Sequence, residues 1–159
     1  MLCMAYDDEM RDLASELFRV FAQCEYCLKA TGYCYAGPGN AATPDWTRFA
    51  RELSSLSDGA DADVAAAVAY MLERPPKKQV YVDGALQWRD VVPEAENEND
   101  RILLYVRRVR NNLFHGGKFN GRFFEPERSR DLLQHSVTIL FACIFKSQPM
   151  LEAYEHRTD

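Results

Sequence analysis

The sequence lacks the features that mark exported, membrane-spanning or fibrous proteins. It has no basic start followed by an apolar run, and no apolar stretch approaches the roughly 18 residues needed to span a bilayer. Internal repeats and low-complexity tracts are missing, and the composition indicates neither a disordered nor a fibrous protein. We therefore expect a soluble, cytoplasmic protein that neither spans nor binds a membrane.

Cysteines are too few and too irregular for a disulfide framework. There are five, an odd count in a chain without a secretion signal, so reduced thiols are expected. Cys24 and Cys27 form a C-x2-C pair with Cys34 following, so a metal site has to be considered. However, Cys24 continues the apolar stripe of a predicted helix, and no histidine lies nearby in sequence. Buried structural thiols are therefore favoured, and we predict no metal or other cofactor.

The chain does contain enough apolar material for one core. Its 159 residues match the size of one domain, and 47% of them are hydrophobic, so neither disulfides nor metal are needed for folding. In several segments apolar residues recur every three or four positions, which predicts helices. We expect residues 1–159 to form a single all-α domain, an up-and-down bundle of about five helices.

Start and stop signals place the predicted elements. Helices are expected at about 7–30, from Thr43-Pro44, from a cap at Asp61 or Asp63, at about 97–115 and at about 126–145, with a short one after Pro149. Residues 33–43 are predicted to be a loop because they contain Gly-Pro-Gly-Asn. Two β-prone runs flank Asp83-Gly84, which predicts a small β-hairpin insertion at about 78–89.

The charge of the chain is distributed unevenly. The formal net charge is −5, which on its own argues against binding to nucleic acid. Between Arg101 and Arg130, however, there are eight basic and two acidic residues, whereas the remainder has 11 basic and 22 acidic ones. A locally basic segment in an acidic protein is typical of a confined anion site.

The fourth predicted helix carries much of this basic segment. Its core stripe consists of Ile102, Val106, Val109 and Leu113. At about 100° per residue, Asn111 and His115 lie about 170° from the centre of that stripe, with Arg108 beside them. Arg110 lies about 70° off the stripe and so does not share their face. The simplest alternative is a solvated polar face whose histidine complements the helix dipole.

Arginine and histidine suit cleavage of RNA without a metal. The 2′-hydroxyl must lose a proton and the departing 5′-oxygen must gain one, and a side chain with a pKa near neutrality can do either. A guanidinium stabilises the extra negative charge of the phosphorane. Because Arg110 and His115 are about 140° apart on an ideal helix, a symmetric dimer is needed to bring both types of residue into one cleft.

Arg110-Asn111-x-x-x-His115 resembles the R-x4-6-H motif of HEPN domains, including the polar residue after the arginine. As in that family, the motif lies late in the penultimate long helix. A Glu-Tyr-x-Leu-Lys run from Glu25, the Pro-Pro-Lys-Lys segment and the Asp-Gly hairpin also resemble bacterial HEPN-type proteins of similar length. The resemblance implies an HEPN-like fold and a homodimeric, metal-independent endoribonuclease that leaves 2′,3′-cyclic phosphate and 5′-hydroxyl ends.

The resemblance assigns roles to the motif residues. His115 is expected to be the acid–base residue, Arg110 the phosphate and transition-state stabiliser, and Asn111 the residue that orients the others. The candidates for substrate binding are Lys118, Arg108 and Glu25. Lys118 follows a Gly-Gly pair and is expected to contact phosphate, whereas a surface pair with Lys29 is the alternative role of Glu25.

Domains of this kind often serve as toxins of toxin–antitoxin pairs or as effectors of phage defence. The expected partners are therefore RNA, a second copy of the chain and an antitoxin protein. Two other interpretations stay open. One is a catalytically inactive HEPN module that binds nucleic acid, nucleotide or a partner protein; the other is a helical structural protein in which the motif is coincidental. The presence of all three motif residues favours the active ribonuclease.

Overall fold

The computed structural model describes residues 2–114 and 126–156, and most of these residues are helical. The helices among them are α1 (Leu2–Ala30), α2 (Trp46–Glu52), α3 (Ala62–Glu73), α4 (Glu98–Phe114), α5 (Pro126–Lys146) and α6 (Gln148–Glu155). The strands are β1 (Cys34–Ala36), β2 (Ala42–Pro44), β3 (Lys78–Val82) and β4 (Ala85–Arg89). The predicted helical class is confirmed, with six helices in place of about five. None of the described helices combines the length and apolar character needed to cross a membrane.

The core forms where the apolar stripes of the long helices meet. α5 is central, because it packs against α1, α3, α4 and α6. The predicted stripes are buried on α1 at Met10, Leu17, Phe21, Cys24 and Leu28, and on α4 at Ile102, Val106, Val109 and Leu113. Full burial of a valine, leucine, isoleucine, phenylalanine or methionine side chain stabilises a fold by about 1.5–3 kcal/mol. The helical periodicity of the sequence therefore identified the core faces of both helices.

Three cysteines lie within this core. Cys24, Cys27 and Cys143 are fully buried. Burial raises the pKa of Cys24 well above its ordinary value and raises the pKa of Cys143 to about 12. Both thiols therefore stay protonated at neutral pH in this core. Within residues 2–114 and 126–156, no group of three or more possible metal ligands occurs. In the structure the three thiols pack as small apolar groups.

Residues 33–43 contain a small hairpin where the sequence predicts a loop. β1 pairs antiparallel with β2, and the N–H of Gly37 donates to the carbonyl of Ala41 at 2.7 Å. The turn uses left-handed backbone at Gly39 and Asn40, with φ of 65° and 62°, a conformation that glycine and asparagine tolerate. Three-residue strands are too short to show a two-residue periodicity, so only their turn was visible in the sequence.

The predicted start of α2 is wrong by two residues. Pro44 ends β2, and Asp45 caps the helix, its carboxylate accepting from the N–H of Arg48 at 3.1 Å. The aspartate satisfies one of the free N–H groups of the first turn, which makes it the stronger start signal. At α3 the cap is Asp61, one of the two predicted residues, and it accepts from the N–H of Val64 at 2.9 Å.

The hairpin predicted at about 78–89 is confirmed. β3 pairs antiparallel with β4. Asp83 and Gly84 connect the strands with φ of 51° and 74°, the pair of positive values that a type I′ turn requires. Because two strands alone are barely stable in water, the hairpin depends on its contact with α4.

Asn99 joins the start of α4 to the segment that follows α2. Its side chain is buried, and its Oδ1 accepts from the N–H of Leu56 at 3.0 Å. Its Nδ2 lies within 3.3 Å of the carbonyl oxygens of Ala50, Leu53 and Ser54. The side-chain amide thus forms hydrogen bonds with backbone groups that have no partner within a helix or strand. It also fixes the start of α4 relative to α2.

We expect Asn99→Ala to lower the free energy of unfolding by about 2–4 kcal/mol, because it leaves the N–H of the buried Leu56 without a partner and removes the donor to the carbonyls of Leu53 and Ser54. Urea denaturation followed by circular dichroism measures the change. Asn97→Ala is the comparison variant: Asn97 is exposed, accepts from the N–H of Asp100 at 2.8 Å and donates to the carbonyl of Ala50 at 3.2 Å, so its loss should cost about 1 kcal/mol. Equal losses in the two variants would contradict the role given to Asn99.

Candidate functional site

The predicted site lies at the end of α4, and the structure describes part of it. Arg108, Arg110 and Asn111 belong to the last turns of the helix. His115 and Lys118 lie outside the described residues. The roles predicted for those two residues therefore stay predictions.

The guanidinium of Arg110 lies between two aromatic rings. Its Cζ is 5.1 Å from the ring centroid of Phe21 and 5.1 Å from that of Phe114. Its Nη1 donates to Oδ1 of Asn111 at 2.9 Å. Its Nε is buried and has no hydrogen-bond partner among the described residues. Aromatic faces hold a cation in place without neutralising it, so the charge of Arg110 stays available to an anion.

Arg110 and Asn111 share one surface, contrary to what helix geometry alone predicts. Successive residues of a helix point about 100° apart, which predicts that Arg110 and Asn111 lie on different faces of α4. The side chain of Arg110 is long enough to reach round the helix, and the hydrogen bond to Asn111 joins the two polar ends. The two motif residues that the structure describes therefore form one polar group at the end of α4.

Phe114 presents an exposed apolar ring beside this group. Its side chain is 61% exposed, and its ring meets that of Phe18 edge to face at 6.0 Å. Phe18 and Phe21 lie on α1, and they meet Phe114 and Arg110 in the reverse order, so α1 and α4 run antiparallel here. Among the described residues, α1 thus supports the end of α4, and it leaves most of the Phe114 ring exposed.

Glu25, a predicted substrate-binding residue, lies on α1. It is half-buried on α1, one turn beyond Phe21 in the direction away from Phe114. In the part of the chain that the structure describes, no ion pair joins it to Lys29. Neither the substrate-binding role nor the surface pair predicted for Glu25 is therefore supported by a contact.

Arg108 binds the protein's own backbone. Its Nη1 donates to the carbonyl oxygen of Pro76 at 3.1 Å and to that of Val91 at 2.7 Å. Its Cζ lies 5.5 Å from the ring centroid of Tyr105. Burial lowers the pKa of Arg108, although a guanidinium stays charged at neutral pH. The substrate-binding role predicted for Arg108 therefore shares this side chain with a structural one.

Arg108 is one of three side chains that bind consecutive carbonyls before β3. Arg128 of α5 donates to the carbonyl of Pro75 at 2.9 Å, and Asn112 of α4 donates to that of Lys77 at 2.9 Å. The segment lies between a helix and a strand, and its prolines have no N–H. Side chains therefore supply the hydrogen bonds that regular structure would otherwise provide, and they fix how the hairpin leaves the bundle.

A cavity of about 360 Å³ opens between α4 and the base of the β3–β4 hairpin. Its lining residues are Lys78, Gln79, Pro93, Leu104, Arg107, Arg108, Asn111 and Asn112. Three of them are cationic and none is a carboxylate. Lys78 and Arg107 form no ion pair with any residue that the structure describes. The sequence showed the basic segment but not this cavity, because Lys78 comes from the hairpin and not from α4.

A larger groove of about 590 Å³ lies between the start of α3 and α5. Its walls include Val64, Phe141 and Phe145, and its rim carries Asp61 and Asp63. The aspartates repel a phosphate, so this groove is unsuited to the polyanion that the basic segment favours. The cavity next to Asn111 is therefore the better candidate for an anion.

Comparison with known proteins does not give this chain a family: no family model, curated protein or solved structure matches it. The resemblance to HEPN domains therefore depends on the motif from Arg110 to His115 and the segments around it. Any function has to be argued from the chemistry of the site itself.

We expect Arg108→Ala to lower the free energy of unfolding by about 1–2 kcal/mol, because it removes the charged donor to two backbone carbonyls, of which that of Pro76 is partly buried. Arg107→Ala is the matched control from the next position of the same helix. Since Arg107 has no described ion pair, its loss should stay within about 0.5 kcal/mol. Thermal or urea unfolding measures both, and equal stability of the two variants would contradict the structural role of Arg108.

Proposed function

We propose that this chain is a metal-independent endoribonuclease of the HEPN type that acts as a homodimer. The observation that carries the proposal is the Arg110–Asn111 pair, in which a guanidinium is fixed by two aromatic rings and one amide. Three residues separate the pair from His115 in the sequence. A role as a toxin or phage-defence effector, with an antitoxin as partner, is implied by the same resemblance.

Arg110 suits stabilisation of a phosphorane. A guanidinium has five N–H donors, and the contact with Asn111 uses only one of its nitrogens. Because Phe21 and Phe114 hold the group in place, it needs little reorganisation when negative charge develops on the phosphate oxygens. Asn111 acts here as a positioning residue, since its Oδ1 directs the guanidinium.

Proton transfer falls to His115 in this proposal. The 2′-oxygen of the RNA attacks the neighbouring phosphorus after one imidazole takes its proton. The bond from phosphorus to the 5′-oxygen breaks, and a protonated imidazole supplies the proton to that oxygen. The products are a 2′,3′-cyclic phosphate and a 5′-hydroxyl, so neither water nor an oxidant is consumed.

Homodimer formation is proposed because the resemblance implies it, and because the cleavage step uses one imidazole as base and a second as acid. Each chain offers one histidine shortly after the Arg110–Asn111 pair, so two copies supply both. The exposed ring of Phe114 offers an apolar surface at the place where a second copy of α4 would pack. A twofold axis near Phe114 would bring two arginines and two histidines to one cleft, one imidazole acting as base and the other as acid.

We expect Arg110→Ala to lower the rate of RNA cleavage by at least about 100-fold, because it removes the donor to the phosphorane. His115→Ala should lose cleavage entirely, because no other group is proposed to move the proton. Arg101→Ala is the control, since Arg101 is exposed in the first turn of the same helix. The assay uses single-stranded RNA in EDTA with analysis of the product ends.

The outcomes of that assay separate the interpretations. Cyclic-phosphate ends that vanish in both variants and persist in Arg101→Ala support the ribonuclease. Cleavage that survives in Arg110→Ala and His115→Ala would show that the activity comes from elsewhere. RNA binding without any cleavage by the unaltered chain would reject the proposal and favour the catalytically inactive module.

Mixed dimers test the shared site. When unaltered and His115→Ala chains are expressed together in equal amounts, we expect about a quarter of normal activity, since only a quarter of the dimers then hold both imidazoles. If a protomer used only its own arginine and histidine, about half of the activity would remain and the composite site would be wrong.

A further inference from the structure

The cavity between α4 and the β3–β4 hairpin takes no part in the cleavage step described above. We propose that it holds a backbone phosphate of the RNA strand, next to the phosphate that is cleaved. The strand would run from Arg110 over Asn111 towards the base of the hairpin. This inference rests on the proposed ribonuclease function and adds the path of its substrate.

The charge of the cavity fits a phosphate. Lys78 reaches it from β3 and Arg107 from α4, and neither is paired with a carboxylate in the described parts of the chain. Arg108 adds a third cation, fixed by its contacts with two carbonyls. Arginine, lysine and amide side chains are the usual contacts of backbone phosphates, and Asn111 and Gln79 supply the amides.

The size of the cavity limits what it can bind. Its volume of about 360 Å³ is at the small end of the range for ligand sites, which suits one phosphate with part of its sugar. Leu104 and Pro93 provide an apolar wall against which a sugar can pack. A volume of this size holds one strand and not the two of a duplex, so we take the ligand to be a single strand.

The position of the cavity favours an RNA strand over a free nucleotide. Asn111 lines the cavity and also holds Arg110, so the cavity and the proposed catalytic group are joined by one side chain. Arg107 lies four residues before Asn111 on α4, which is about 6 Å along the helix axis. A strand bound at Arg110 therefore passes the cavity, whereas a free nucleotide would make no use of that continuity.

The test measures binding independently of cleavage. A fluorescent single-stranded 2′-O-methyl RNA, which cannot form the cyclic phosphate, is titrated with protein in EDTA at several salt concentrations. We expect Lys78→Ala and Arg107→Ala each to weaken binding about fivefold and to reduce the salt slope by about 0.7, the value for one lost phosphate contact on a single strand. Arg107→Lys should recover most of the affinity, and Arg101→Ala should bind like the unaltered chain.

Each remaining outcome decides one point. If Lys78→Ala and Arg107→Ala bind 2′-O-methyl RNA as Arg101→Ala does, the phosphate site is wrong, and cleavage of ordinary RNA by the unaltered chain would leave the ribonuclease standing. If binding depends on both residues but ordinary RNA is never cleaved, the ribonuclease is wrong and the phosphate site stands. If Arg107→Ala weakens the binding of 5′-AMP but not the binding of the RNA, the ligand of the cavity is a free nucleotide and the proposed RNA strand is wrong.

Discussion

Three consecutive carbonyl groups, those of Pro75, Pro76 and Lys77, accept hydrogen bonds from side chains of α4 and α5. The position of the β3–β4 hairpin depends on these contacts, because two isolated strands have little stability of their own. The hairpin forms one wall of the cationic cavity. A local need to satisfy backbone oxygens thus determines the shape of the site that we assign to RNA.

The polar face of α4 is divided between support and function. Arg108 and Asn112 bind backbone carbonyls of neighbouring segments and also line the cavity. Arg107 and Asn111 line the same cavity, and Arg110 is held by aromatic rings. Adjacent residues can differ in this way because each step of the helix turns the side chain by about 100°. As a result, functional residues on this helix can change without the loss of the contacts that hold the hairpin.

Sequence patterns predicted the elements of this fold that are set locally. The Asp83-Gly84 turn depends on two adjacent residues, and the buried stripe of α4 depends on apolar residues spaced three or four positions apart. Both were therefore identified from the sequence. The role of Arg108 was not, because Pro76 lies 32 residues away and no local pattern links the two. The contact between Arg110 and Asn111 was missed for another reason: Cα directions on a helix do not determine where the end of a long side chain lies.

An acidic chain that binds RNA has to confine its positive charge. The net charge of −5 disfavours a polyanion, so attraction depends on local groups of cations; among the described residues, the cavity and the end of α4 form such groups. Contacts with so few phosphates give weak binding in one protomer. In the proposed dimer, the twofold axis that joins two copies of the end of α4 also places one cavity on each side of the cleft. A single strand that crosses the cleft would then meet two sets of cations, so the same symmetry that completes the catalytic groups would also raise the affinity for the substrate.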